Sequence, residues 1–73
     1  MDKVNIKDWY MGLTAIEKDQ VHIELGARFS KTTDCVKAKI LGLRNWSFLE
    51  WEAAREYFRM NWEIDAQADN VKP

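Results

Sequence analysis

Over three stretches between Trp9 and Ile40 the chain sets apolar residues at every second position. They are Trp9, Met11, Leu13 and Ala15, then Val21, Ile23, Leu25, Ala27 and Phe29, then Val36, Ala38 and Ile40. The interleaved positions include Thr14, His22, Glu24, Arg28, Lys37 and Lys39. Successive side chains of an extended chain point to opposite faces, so each stretch offers one apolar and one mixed face. The alternation predicts three strands. "EKDQ" at Glu17–Gln20 and "SKTTD" at Ser30–Asp34 are short polar links suited to antiparallel hairpins. Pairing Val36 with Phe29 sets Ala38 against Ala27 and Ile40 against Leu25. A turn over residues 18–20 then sets Leu13 on the other side of Leu25, and the apolar faces coincide.

At Ser47 the rhythm changes. Ser47 to Glu50 forms an S-x-x-E capping box, in which each side chain satisfies a free amide at the start of a helix. At about 100° per residue, Leu49, Ala53, Tyr57, Met60 and Ile64 fall on one stripe, which is expected to cover the sheet. The expected fold is therefore α+β: a small three-stranded antiparallel sheet with one C-terminal helix packed across it. It occupies residues 1–65, and residues 66–73, "AQADNVKP", form a flexible tail. An all-α alternative lays a helix-turn-helix over "ELGARFSKTTDCVKAKI", with Leu25, Gly26, Phe29 and Val36 inside. Against it, Lys31 and Lys39 occupy positions such a motif usually gives to apolar residues, and Ser30 stands where a turn glycine is usual.

Seventy-three residues suffice for one small domain, and the composition, 47% apolar and 32% charged, is that of a folding chain. The single cysteine, Cys35, allows no internal disulfide, so the expected compartment is cytoplasmic. No stretch approaches the roughly 18 apolar residues of a membrane span, so no membrane partner is expected. The net charge of −1 divides unevenly: residues 1–46 carry eight Lys/Arg against six Asp/Glu, and residues 47–73 carry three against six.

Catalysis by a Cys/His pair needs the two side chains within hydrogen-bond reach, and the expected hairpin holds Cys35 and His22 roughly 20 Å apart at the usual strand rise. Structural zinc takes four Cys/His ligands, and the chain has two such residues. Gly12, Gly26 and Gly42 are too scattered for a phosphate loop. The chain reads as a non-enzyme with no cofactor and no metal.

Two surfaces remain as candidates. Trp51, Ala54, Phe58 and Trp62 form a second apolar stripe on the C-terminal helix, roughly 120° from the first, and exposed aromatics of this kind mark protein contacts. The N-terminal residues Val4 and Ile6, or the tail, are the alternative cover for that stripe. On the mixed sheet face, Tyr10, His22, Arg28, Lys37 and Lys39 would gather as a small basic and aromatic patch able to touch phosphate.

Three further segments, "YMGL" at Tyr10–Leu13, "EL" at Glu24–Leu25 and "EAAREYFR" at Glu52–Arg59, resemble the Y-x-G-V, E-I and E-A-A-R-x-Y patterns of the AP2-type DNA-binding domain. The resemblance implies the same order of three strands and a helix. Where that family carries DNA-reading arginines, this chain has Met11, Thr14 and Ile16.

The expected function is stoichiometric binding to a larger protein or to a second copy of the chain, as an inhibitor, adaptor or accessory subunit. Small phage-encoded inhibitors of host machinery have this general character. The alternative is a nucleic-acid-binding domain that uses the basic sheet face.

Overall fold

A computed structural model describes residues 3–30 and 32–72. Among these residues four helices and four very short strands follow in the order β1 (Lys3–Asn5), α1 (Ile6–Met11), α2 (Ala15–Phe29), α3 (Thr33–Ile40), β2 (Trp46–Ser47), α4 (Phe48–Trp62), β3 (Asp65–Gln67) and β4 (Val71–Lys72).

Each helix start has a local cause. Asn5 Oδ1 accepts from the backbone N–H of Lys7 and Asp8 at 3.1 and 3.2 Å, opening α1. Thr14 and Glu17 form a reciprocal capping box at α2, and Ser47 and Glu50 form another at α4. Thr32 Oγ1 accepts from Cys35 N at 3.3 Å and opens α3. Such caps satisfy amides that have no partner within the helix. Both long helices end on a left-handed residue, Ser30 at φ 55° and Glu63 at φ 55°.

The three-stranded antiparallel sheet does not form. Two of its expected strands lie within α2 and α3, and the expected "EKDQ" turn is the first part of α2. Val21, Leu25 and Phe29 follow one another at four-residue intervals, so the alternating pattern also contains a helical stripe. In α2 Val21, His22, Leu25 and Gly26 are buried, whereas Ile23 is 63% exposed. The resemblance to the three-strand-and-helix domain falls with the sheet. The segment of the helical alternative is instead covered by α2 and α3, which pack against each other.

Strands here serve to tie the ends of the chain. β1 pairs parallel with β3, Val4 against Ala66, and β2 pairs parallel with β4, Trp46 against Val71. The stretch expected as a free tail thus contributes a buried Ala66, and Trp46 N donates to Asn70 O at 2.8 Å. Asn70 Nδ2 in turn donates to the carbonyls of Lys39 and Arg44 at 2.9 and 2.6 Å, holding the loop after α3.

The core joins Ile6 and Tyr10 of α1, Val21 and Leu25 of α2, Val36 and Ile40 of α3, and Trp51, Ala54, Tyr57 and Phe58 of α4 around Trp46. Trp9 of α1 meets Phe58 and Trp62 edge-on, with centroids 5.4 and 5.2 Å apart, and Trp46 lies 5.4 Å from Trp51. Such aromatic pairs each contribute about 0.5–1.5 kcal/mol beyond the area they bury.

Candidate nucleic-acid interface

Helix α3 is anchored on one side and free on the other. Val36, Lys39 and Ile40 point inward, while Thr33, Asp34 and Lys37 are exposed and, one to four residues apart, share the outer face. Cys35 and Ala38 stand half-buried on a flank. There an open groove of about 360 Å³ is lined by Ser30, Thr32, Asp34, Cys35, Ala38 and Arg44. Arg44 Nη1 sits 3.7 Å from Cys35 Sγ, which carries the guanidinium alongside the helix.

Charge concentrates in this part of the chain. From Leu25 to Trp46 there are five cations, Arg28, Lys31, Lys37, Lys39 and Arg44, against one acid, Asp34. The other five acids of the first 46 residues all precede Leu25, and the segment from Ser47 onward is acidic. Lys31 lies outside the described residues. Lys39 is neutralised by an ion pair with Glu50, and its ammonium lies 6.0 Å from the Trp46 ring centroid. Burial alone would raise the Glu50 carboxyl, but hydrogen bonds from Lys39 and Ser47 outweigh it and hold the group below its ordinary range.

The patch expected on the sheet face is dispersed. Tyr10 and His22 are buried against each other, with Tyr10 Oη and His22 Nε2 2.7 Å apart. Burial lowers the His22 pKa, Lys37 and Lys18 act in the same direction, and Asp19 and Asp34 oppose it. Burial, with Asp19, raises that of Tyr10. Arg28 leans over the Tyr57 ring at 5.4 Å, toward α4. Lys39 points inward, so Lys37 is the member of the set that α3 presents to solvent.

The aromatic stripe expected to meet a protein partner is core instead. Ala54 and Phe58 have no exposed surface, Trp51 retains 7%, and Trp62 is half-buried with its Nε1–H donating to Tyr57 Oη at 2.9 Å. Tyr57 donates in turn to Glu24 of α2, and burial followed by that bond raises its pKa. The exposed side of α4 carries Leu49 and Met60, which the first stripe had turned inward. Helix α4 is thus rotated from its expected setting, with Tyr57 inside in either case.

Sequence reasoning passed over Arg44, Thr33 and Asp34. One signal for the arrangement stood in the chain: Thr14–Glu17 has the same T/S-x-x-E form as Ser47–Glu50 and marks the start of α2. Among the described residues no cluster of His, Cys, Asp or Glu could hold a metal ion, and no helix is long and apolar enough to cross a membrane. Compared with family models, curated proteins and solved structures, the chain shows no match.

Proposed function

We propose that this domain binds double-stranded DNA and seats α3 in the major groove. The observation that carries the reading is the α2–turn–α3 unit. Its second helix is fixed by Val36 and Ile40 and presents Thr33, Asp34 and Lys37 to solvent, within the most basic stretch of the chain. A helix with side chains is about 10–12 Å across, and the major groove of B-DNA is about 12 Å wide. The hydroxyl, carboxylate and ammonium on this face are groups that read base edges or meet phosphates. The deep, narrow major groove of duplex RNA would exclude the helix, which favours DNA.

This revises the expected order of partners. Docking to a larger protein through the Trp51 stripe loses its support because that stripe fills the core.

The test is fluorescence anisotropy with a labelled mixed-sequence DNA duplex, titrated over a range of salt. We expect binding that weakens as salt rises, with a slope in log K against log salt of about −0.9 for each phosphate contacted. Duplex RNA should compete poorly. No binding at low salt, or equal preference for duplex RNA, would overturn the reading.

A further inference from the structure

Resting on the DNA-binding reading, we infer that Asp34 is a base-reading residue that selects cytosine. Asp34 lies in the first turn of α3, exposed on the same outer face as Thr33 and Lys37 and on the wall of the groove shared with Arg44. It is the sole acid between Leu25 and Trp46, and among the described residues it makes no ion pair. A carboxylate on a DNA-facing helix is repelled by every phosphate. It therefore needs a donor on the DNA, and in the major groove the donors are the amino groups of cytosine and adenine. The side chain of Asp is acceptor-only when ionised, so it pairs with the cytosine amino group and cannot supply the donor that adenine N7 requires. Adenine suits an amide, which donates to N7 and accepts from the amino group at once.

The division of labour on α3 follows. Among the described residues, Lys37 and Arg44 are exposed cations beside Asp34 that can neutralise phosphates, and they offset the repulsion that Asp34 brings. Asp34 itself opposes non-specific attachment. It turns attachment into selection.

The decisive experiment is selection of bound duplexes from a pool randomised over about 12 base pairs, slightly more than one turn of B-DNA, followed by affinity measurement on the enriched sites. Wild-type protein should enrich sites with one invariant cytosine, whose replacement weakens binding about tenfold or more. Asp34→Asn should move the preference at that position from cytosine to adenine. Asp34→Ala should relax the position, so that cytosine is no longer preferred there. Circular dichroism and melting curves on both variants check that the exposed substitution leaves the fold intact. Enriched sites without an invariant cytosine, or a preference unchanged by Asp34→Asn, would overturn the assignment of Asp34 while leaving DNA binding standing. Enrichment of no duplex by the wild type would overturn both.

Discussion

Lys39 of α3 donates to Oε2 of Glu50, the third residue of α4, and the two side chains keep only 10% and 20% of their surface exposed. Glu50 therefore serves two partners. Its Oε1 accepts from Ser47 N at 2.9 Å to close the capping box, and its Oε2 receives the lysine. The pair fastens the end of α3 to the start of α4 and allows a cation to occupy an inward position.

We predict that Glu50→Gln, which keeps an acceptor for the cap but removes the charge, lowers stability by about 2 kcal/mol or more. A partly buried cation left unpaired is costly, though some access to water reduces the loss. Lys39→Met should also cost about 2 kcal/mol, because it leaves the partly buried Glu50 carboxylate without the lysine that stabilises its charge. Urea titrations measure both. Because Glu50's folded pKa lies below its ordinary 4.5, the pair's contribution is complete above that value and is lost as pH falls through the lower folded pKa. A Glu50→Gln protein whose stability matches the wild type would show that the pair carries no weight.

His22 gives a second pH dependence. Its folded pKa lies below the ordinary 6.5, so between the two values the unfolded chain binds more protons than the native one. Stability should be full above about 6.5 and should fall as pH drops toward the folded value. His22→Gln, which can still bond Tyr10, should flatten that part of the profile. The urea midpoint followed from about pH 8 to about pH 5 is the measurement. An identical slope in the variant would assign the dependence to other groups.

The aromatic core allows a direct contrast on one helix. Phe58→Ala should cost about 3–5 kcal/mol and Trp51→Ala nearly as much, as large-to-small core changes do. Leu49→Ala, at a position 80% exposed, should stay within about 0.5 kcal/mol. Thermal melts of the three variants settle the setting of α4. A reversed order would mean that the Leu49 stripe faces inward.

For DNA, the prediction separates cations by burial. Lys37→Ala and Arg44→Ala should each reduce the salt slope of binding by about one phosphate contact. Lys39→Met should leave the slope unchanged, since that ammonium is already paired with Glu50. Equal effects from all three would indicate a diffuse charge effect and not a surface built on α3.

The parts of the fold legible in the sequence are those set by neighbours a few residues apart. Ser47 and Glu50 mark the start of α4 where it occurs, and Thr14 and Glu17 carry the same information for α2. A capping box is local chemistry between side chains and backbone three residues away, so it survives without knowledge of the rest of the chain. The alternation from Val21 to Phe29 was ambiguous for a physical reason. Val21, Leu25 and Phe29 satisfy both a strand and a helix, and only the exposure of Ile23 separates the two.

The sequence by itself determined the capped start of α4, the presence of a single cysteine and a basic stretch from Leu25 to Trp46. Tertiary structure decided the rest, because each remaining choice depended on residues distant in the chain. Lys39 counted against a helix-turn-helix until Glu50, eleven residues on, neutralised it. Ser30 stands where glycine is usual, and the packing of α2 on α3 holds it in the left-handed conformation at a cost of about 1 kcal/mol. Helix α4 could bury either of two apolar stripes. Trp9 and Trp46, brought beside it from other parts of the chain, supply aromatic partners for Trp51, Phe58 and Trp62. Periodicity shows that a face is apolar, and only the elements packed against it determine which face is covered.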